Sequence, residues 1–248
     1  MNAQAMNVAR QWVEHAIGLV YPRNCLFCST ALAEQERGVI CAACLTTVRR
    51  IEPPFCQQCA APFAGAITDT FVCGYCKDLR FAFTRAVCGC RAEGIVRESI
   101  HRFKYNREMY LGPHLAEWLI EAAQQWIDWQ TVDAIVPVPL HPRKKREREF
   151  NQSEYLAAAL SRHFDRPALV GQLRRVKDTV TQTALDAGQR DRNLRNAFAA
   201  RRMDAFSGKR LVLVDDVFTT GATLNSCARI LCRAGASSVI ALAVARGV

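Results

Sequence analysis

Residues 211–223 read Leu-Val-Leu-Val-Asp-Asp-Val-Phe-Thr-Thr-Gly-Ala-Thr, and no other segment is more informative about the predicted fold. The four apolar residues 211–214 predict a strand that is buried on both faces, as in a parallel sheet. Asp215 and Asp216 follow where that strand is expected to end, and a helix is predicted over 222–233. Ligands of open α/β sheets bind at the carboxyl ends of the strands, so we expect a binding site here.

The loop between this strand and helix has the composition of a phosphate site. It offers backbone N–H groups and hydroxyls at a helix N-terminus, from Thr219, Thr220, Gly221, Ala222 and Thr223. Asp215 and Asp216 can accept hydrogen bonds from sugar hydroxyls or approach a Mg²⁺ carried by the ligand. This order of strand, acids and loop resembles the signature with which type I phosphoribosyltransferases bind phosphoribosyl diphosphate (PRPP). The alternative is an ordinary strand-turn-helix with an Asp-rich turn.

Four Cys-x-x-Cys pairs in the first third of the chain indicate metal binding. Each pair can supply two thiolates to a tetrahedral zinc ion. The ligands are Cys25, Cys28, Cys41, Cys44, Cys56, Cys59, Cys73 and Cys76. Spacers of 12 and 13 residues favour two ribbons formed from successive pairs; an interleaved arrangement is the alternative. We therefore predict two structural Zn²⁺ sites.

Disulfides and a redox couple are the other interpretations of these cysteines. The first twenty residues contain Arg10, Glu14 and His15 and no uninterrupted apolar run, so no signal peptide is predicted and a cytoplasmic location is expected. A reducing compartment disfavours disulfides, and four repeats of the motif disfavour a single redox pair. The remaining cysteines are expected to be small buried hydrophobic residues; they are Cys88, Cys90, Cys227 and Cys232.

The net charge of +10 indicates an anionic partner, and the charge is uneven. Residues 1–94 carry nine Lys and Arg against seven Asp and Glu, a net of +2, which leaves +8 for residues 95–248. The excess lies in the same part of the chain as the candidate phosphate loop. No apolar stretch approaches the roughly 20 residues that span a bilayer, so no transmembrane segment is predicted.

Strands and helices alternate after residue 80, which predicts a mostly parallel, doubly wound sheet. The predicted strands are 81–91, 132–138, 168–176, 211–214 and 238–244. The predicted helices are 95–105, 115–126, 151–164, capped by Asn151, and 222–233. The expected fold is α/β, type I phosphoribosyltransferase-like, with a small N-terminal double zinc-ribbon module. The domains are expected at 1–22 (an amphipathic helix), 23–80 (the ribbons) and 81–248.

Further motifs extend the resemblance over nearly the whole chain. They are Ile100-His101-Arg102-Phe103-Lys104-Tyr105, Val136-Pro137-Val138-Pro139-Leu140, Phe150-Asn151-Gln152, Thr181-Gln182-Thr183 with Leu185, and Arg192-Asn193. With these motifs the chain resembles the ComF family (the competence ComF/GntX type), which joins a zinc-ribbon head to a phosphoribosyltransferase domain. The resemblance implies a role in DNA uptake during natural transformation, acting on incoming single-stranded DNA in the cytoplasm. Glu149 departs from the family pattern, which usually has Gly before Phe-Asn-Gln.

The basic residues that follow the strand at 132–138 are further site candidates. In phosphoribosyltransferases the corresponding loop contacts diphosphate, which the resemblance assigns here to Arg143 and Lys144. Candidates for nucleic-acid binding or for a flap over the site are Lys104, Lys145, Arg146, Arg148, Gln182 and Arg192. A solvated charged face is the alternative interpretation.

Three functions are compatible with this sequence. The favoured one is a protein of DNA uptake that handles single-stranded DNA and keeps a pocket for PRPP or a related phosphoribosyl ligand. The alternative is an active phosphoribosyltransferase with an acceptor and catalytic residues that the sequence does not specify. The third is an adaptor whose ribbons dock a DNA-uptake helicase or a recombination protein.

Overall fold

The computed structural model describes residues 23–36, 38–63, 65, 71–177 and 197–247. The chain forms two compact units, Met1–Val48 and Arg49–Val248. The predicted amphipathic helix at 1–22 and the predicted flap residues Gln182 and Arg192 lie outside the described residues.

Strands and helices alternate along the larger unit. The strands are β1 Arg85–Arg91, β2 Ala134–Pro137, β3 Leu173–Arg175, β4 Phe198–Ala200, β5 Arg210–Phe218 and β6 Ser238–Arg246. The helices are α1 Ala42–Leu45 in the smaller unit and then α2 Gly74–Lys77, α3 Gly94–Tyr105, α4 Gly112–Trp126, α5 Pro142–Arg148, α6 Gln152–Phe164 and α7 Ala222–Arg233. Short 3₁₀ helices cover Met109–Leu111 and Trp129–Thr131.

Four strands form a parallel sheet in the order β1-β6-β5-β2, which confirms the predicted α/β fold. Leu211 and Leu213 of β5 share a core with α7. The alternate residues Val212 and Val214 are also fully buried, and they face the opposite side because side chains alternate along a strand. Helices α4 and α6 pack against the sheet and against each other. Covered on both faces, β5 is continuously apolar from Leu211 to Val214.

Strand β5 is longer than predicted, so the two acids lie within it. β2 ends at Pro137, opposite Val214, whereas β6 continues to pair with β5 as far as Phe218 and Arg246. The carboxylates therefore lie where β5 has lost one neighbouring strand and kept the other. The two acids are thus at the carboxyl ends of the strands, where a ligand was expected.

Several elements differ from their predicted form. The segment after β2 is helix α5, with Pro142 in its first turn, where the fixed φ of proline favours a helix start. The strand expected at 168–176 is a single bridge at Ala168 followed by β3, which pairs with β4 in a separate two-stranded sheet. Strand β1 begins at Arg85 rather than at residue 81. Cys232 is exposed, so only the other three cysteines outside the pairs are buried as expected.

The second cysteine cluster, formed by Cys56, Cys59, Cys73 and Cys76, belongs to the larger unit. The Ile51 amide donates to the carbonyl of Gly89 in β1 (2.9 Å), and the Ala86 amide donates to the carbonyl of Gln58 (3.0 Å). The side chains of Cys56, Cys59 and Cys76 share the hydrophobic core of the sheet and α7. The residues around the second cluster are therefore continuous with the sheet in hydrogen bonding and in packing.

Candidate functional site

The carboxylates of β5 are held by groups from two helices. The Ser153 hydroxyl in the first turn of α6 donates to Oδ1 of Asp215 (3.1 Å), as does the backbone amide of Asp216 (3.0 Å). Lys104, near the end of α3, forms an ion pair with Asp216, with 2.8 Å between Nζ and Oδ1. Lys104, predicted as a nucleic-acid or flap residue, thus lies at the acid pair.

The pKa of Asp215 is raised to about 7. Burial of the carboxyl is the main cause, and the neighbouring charge of Asp216 adds to it. Lys104, the Asp216 amide and the Ser153 hydroxyl oppose the increase because they stabilise the ionised form. Asp215 therefore changes charge near neutral pH, where it can switch between accepting and donating a hydrogen bond.

Asn151 fixes the start of α6 beside these acids. Its side-chain oxygen accepts from the Ser153 amide (3.1 Å), which makes it the N-cap that the sequence predicted. Its Nδ2 donates to the Val138 carbonyl just after β2 (3.0 Å), and the side chain is buried. The cap thus ties α6 to the end of β2 and aims Ser153 at Asp215. Ser153 was not identified as a site residue from the sequence. Its one distinguishing mark there is that it lies two residues after the N-cap Asn151.

The predicted phosphate loop, residues 219–223, leads directly into α7. Gly221 has φ +78°, and a Cβ at this position would lie 2.6 Å from Cζ of Phe218. Both facts require glycine here. The Thr220 hydroxyl accepts from the Ala222 amide (3.4 Å), and α7 begins at Ala222. The loop therefore presents the N-terminus of a 12-residue helix beside Asp215 and Asp216.

Arg246, the last residue of β6, holds the carbonyl side of this loop. One guanidinium nitrogen donates to the carbonyls of Thr219 (2.8 Å) and Phe218 (3.2 Å). Nε donates to the carbonyl of Cys59 in the second cysteine cluster (2.9 Å). The hydroxyl of Tyr75, in the same cluster, donates to the Thr220 carbonyl (3.4 Å). Sequence reasoning missed Arg246 because nothing near it in the chain indicates a partner 187 residues away.

Helix α5 divides the predicted basic residues between two sides. Lys144 and Arg148, four residues apart and hence on one helix face, line a cleft of about 210 Å³ together with Lys104, Tyr105, Arg107 and Glu147. Lys145 and Arg146 line a different groove of about 870 Å³ that reaches β3. Arg143 is exposed and pairs with Glu147, with 3.0 Å between Nε and Oε1. The structure thus does not gather the basic run at one place.

An aromatic and cationic stack borders the smaller cleft. The guanidinium of Arg148 lies 4.7 Å from the centre of the Tyr105 ring. The centre of the His101 ring, one turn earlier in α3, lies 4.8 Å from the centre of the Tyr105 ring. Tyr105 is 52% exposed. Arg148 also donates to the side-chain oxygen of Gln152 (3.2 Å), which is buried at the start of α6.

Glu149 ends α5 in the left-handed conformation, with φ +68°. This conformation favours glycine, which gives a physical reason for the usual family residue. The Glu149 carboxylate pairs with Arg107 at 2.9 Å. The chain thus keeps the backbone shape with a residue that costs conformational energy.

The eight paired cysteines form two clusters of four. The thiols of Cys25, Cys28, Cys41 and Cys44, and those of Cys56, Cys59, Cys73 and Cys76, lie within 4.8 Å of one another in each cluster. This grouping follows the sequential pairing favoured by the spacers. Backbone amides point at sulfur, as from Cys41 to Cys25 (3.4 Å) and from Cys73 to Cys56 (3.3 Å).

The thiols of the two clusters differ in pKa, because burial raises the pKa of some, such as Cys44 and Cys76, while amide hydrogen bonds lower that of others. Burial raises the pKa of Cys25, but amide hydrogen bonds from Cys41, Cys28 and Phe27 outweigh it and lower the pKa to about 6. Similar amide bonds bring the pKa of Cys56 to about 7. The fit to zinc comes from geometry, because four converging sulfurs in each cluster match a closed tetrahedral zinc site of the structural kind.

Comparison with known proteins gives the same two parts. Residues 16–80 match the double zinc ribbon domain family, and residues 151–247 match the phosphoribosyl transferase domain family. Competence protein F of Haemophilus influenzae is 30% identical over 227 residues, covering 90% of this chain and 96% of that protein. DNA utilization protein YhgH of Salmonella typhimurium is 35% identical over 225 residues, covering 89% and 96%. Competence protein ComFC of Bacillus subtilis is 24% identical over 208 residues, covering 81% of each. Among the described residues, no helix is both long and apolar enough to cross a membrane.

Proposed function

Because the chain belongs to the ComF family of competence and DNA utilization proteins, we propose that it acts on DNA in the cytoplasm and binds PRPP or a related phosphoribosyl ligand. The ligand site is the acid pair Asp215 and Asp216 with the phosphate loop.

The arrangement at the end of β5 carries this proposal. Loop 219–223 receives the 5′-phosphate on backbone amides at the start of α7, where the helix dipole favours an anion. Asp215 and Asp216 accept hydrogen bonds from the ribose hydroxyls, and Ser153 orients Asp215 for this role (3.1 Å). The carboxylate oxygens also suit Mg²⁺, which would neutralise part of the diphosphate charge when bound with the ligand.

Calorimetric titration with Mg²⁺ and PRPP tests this assignment. At a pH above the pKa of Asp215, about 7, the wild type should bind, and the variant Asp215→Asn/Asp216→Asn should lose binding because two carboxyl groups are replaced by neutral amides. Asp133→Asn is the matched control. Asp133 lies just before β2 at the opposite edge of the same sheet, and its carboxylate accepts from the Arg210 amide (2.7 Å), a bond that asparagine can keep. Absence of binding in the wild type, or equal binding in the double variant, contradicts the proposal.

Phosphoribosyl transfer is the alternative use of the same pocket. The bond from C1 of the ribose to diphosphate would break, a bond from C1 to an acceptor would form, and the acceptor would lose a proton. Lys104, 2.8 Å from Asp216, and Lys144 and Arg148 in the adjoining cleft supply positive charge for the departing diphosphate. Release of diphosphate on addition of a nucleobase would support this activity, and its absence across all bases would favour a binding role.

The stack of Tyr105 and Arg148 supports single-stranded DNA as the second ligand. An exposed aromatic ring beside a cationic cleft suits bases that stack and phosphates that need neutralising. Lys104, Arg107, Lys144 and Arg148 line this cleft together with Glu147; Lys104 is paired with Asp216 and Arg107 with Glu149. Binding of a labelled oligonucleotide across a salt series tests the assignment, since a phosphate-binding face must weaken steadily as salt increases.

A further inference from the structure

We propose that the second cysteine cluster sets the shape of the phosphate loop through Arg246 and Tyr75, so that metal in this cluster controls phosphate-ligand binding. Arg246 is in this account a positioning residue, since it acts on the loop and not on the ligand. The inference rests on the ligand site proposed above.

Arg246 joins the cluster and the loop with a single side chain. The guanidinium donates to the Cys59 carbonyl at 2.9 Å and to the Thr219 carbonyl at 2.8 Å. It also lies 5.0 Å from the centre of the Phe218 ring. The planar fork of arginine allows these bonds at fixed relative directions, which a lysine ammonium cannot reproduce. The position of the Thr219 carbonyl is thus fixed relative to that of Cys59.

Tyr75 makes a second, separate link. Its hydroxyl donates to the Thr220 carbonyl at 3.4 Å. Two successive carbonyls of the loop are therefore held from the cluster side. Because each peptide unit is planar, fixing the carbonyls of Thr219 and Thr220 also orients the amides that follow them. Those amides are among the groups assigned to the phosphate.

The two links come from the two different Cys-x-x-Cys turns of the cluster. Cys59 closes the turn that begins at Cys56, whose carbonyl accepts from the Ala60 amide (2.9 Å). Tyr75 lies in α2, between Cys73 and Cys76. A metal bound by all four thiolates holds these turns together and fixes both contacts at once. Apart from the metal, the turns are joined by the Cys73 amide on the sulfur of Cys56 (3.3 Å) and by the Gln57 amide, which donates to the Phe71 carbonyl just before the second turn (3.0 Å).

In this proposal, loss of the metal changes the conformation of the phosphate loop. Loss of metal removes the four-thiolate link between the two turns. Tyr75 is then no longer fixed against the Thr220 carbonyl, the Cys59 carbonyl no longer holds Arg246 in one position, and the loop amides no longer point at one place. The acid pair is untouched by this change, because its partners Ser153 and Lys104 come from α6 and α3. The inference therefore predicts loss of phosphate affinity with the acid pair intact.

Conservative variants test the links one at a time. Arg246→Lys keeps the charge and loses the fork, and Tyr75→Phe loses only the hydroxyl. Arg210→Lys is the matched control, because Arg210 begins β5 at the far end of the sheet. We expect Arg246→Lys to weaken Mg²⁺·PRPP binding about tenfold, the equivalent of one charge-assisted hydrogen bond, and Tyr75→Phe to weaken it less. Zinc content should stay at the wild-type value. Unchanged affinity in both variants would overturn the inference.

Cys73→Ser tests the metal itself. We expect it to lose one zinc per chain and to accelerate hydrogen exchange at the amides of 219–223, while strands β5 and β6 stay protected. Should this variant fail to fold, the exchange rates of the loop in Arg246→Lys decide the matter. A loop whose exchange is the same in the wild type and in both variants contradicts the inference.

The exchange measurement also separates this inference from the proposed function. If the wild type does not bind PRPP but the loop still loosens in the variants, the ligand assignment fails and the coupling stands. If PRPP binds and the loop is indifferent to Arg246 and to the metal, the ligand assignment stands and the coupling fails.

Discussion

Gly221 shows at the scale of one residue how the phosphate loop depends on backbone shape. With φ +78°, any other residue costs roughly 1–2 kcal/mol, and an added Cβ would meet the Phe218 ring at 2.6 Å. Gly171 has a similar φ of +74°, but a Cβ there meets no described atom within 4 Å. Comparing alanine variants of Gly221 and Gly171 therefore separates the cost of backbone strain from the cost of a steric clash.

We therefore predict that Gly221→Ala destabilises the fold more than Gly171→Ala does. The excess should be roughly 1–3 kcal/mol, the cost of overpacking a closely packed site. Urea unfolding of the two variants measures it. Equal losses of unfolding free energy would show that the Phe218 ring moves aside freely and that the loop is not tightly packed.

The pKa of Asp215 gives a second prediction at this scale. Only ionised Asp215 can accept from two ribose hydroxyls, so PRPP affinity should rise with pH through about 7. Lys104 lowers this pKa through its charge, so Lys104→Met should move the midpoint to higher pH, as should Ser153→Ala to a smaller extent. Calorimetry from pH 5.5 to about 8.5 measures the midpoints, and ionisation of the ligand phosphate is common to all three proteins. A midpoint that is the same in all of them contradicts the role given to Asp215.

The residues that could be predicted from sequence are those that stand together in the chain. Asp215, Asp216 and the loop that follows them form one local pattern of strand, acids and glycine turn. Three further residues reach the same place from distant elements: Ser153, Lys104 through its ion pair with Asp216, and Arg246. Only the order of strands in the sheet brings them together, and this order is not encoded in any local period.

Helix α5 shows how one element distributes a run of charged side chains between two surfaces. The sequence treats 143–148 as one basic run, whereas a turn of 100° per residue sends neighbours to different sides. Lys144 and Arg148 reach the cleft beside Tyr105, and Lys145 pairs with Glu154 at 2.7 Å on the other side. Only the first pair is placed to bind a strand that stacks on Tyr105.

We predict that Tyr105→Ala weakens binding of single-stranded DNA by roughly 1–3 kcal/mol, the usual contribution of one stacked base. Tyr105→Phe should keep most of the affinity. Tyr110→Ala is the matched control, because Tyr110 is 47% exposed but does not line the cleft. Fluorescence anisotropy with a labelled oligonucleotide measures all three. An equal effect of the two alanine variants would place the DNA elsewhere.

Salt dependence separates the two faces of α5. Arg148→Gln should lower the slope of log affinity against log salt by about 0.7, the value for one phosphate contact on a single strand. Lys145→Gln should leave the slope unchanged, since its ammonium already neutralises Glu154. The reverse result would assign the DNA to the groove that reaches β3.

Within the whole molecule, the smaller unit has few buried apolar side chains. Among residues 23–36 and 38–48, the buried apolar side chains are Cys25, Ile40 and Cys41, too few to replace a metal site. We predict that removing zinc with a strong chelator abolishes hydrogen-exchange protection in this segment while β5 and β6 keep theirs. Exchange followed by mass spectrometry measures both regions in one sample, and a protected first cluster without zinc would contradict the prediction.

The family, the α/β fold and the two groups of cysteines follow from the sequence because each has a short, repeated or strongly apolar signature. The sequence does not show that the second cluster shares a core with the sheet, through Cys56 and Cys59. Composition marks 23–80 as one cysteine-rich stretch, but burial depends on which strand edge a segment meets. Here the edge is β1, whose amide of Ala86 and carbonyl of Gly89 bond to the ribbon.

Whether the end of β5 is a phosphoribosyl site can be decided by a crystal structure of the wild type with Mg²⁺ and PRPP. We expect the 5′-phosphate on the amides of loop 219–223 and the ribose hydroxyls on Asp215 and Asp216. A ligand bound only in the groove lined by Lys145 and Arg146, or on no ordered site, would contradict it.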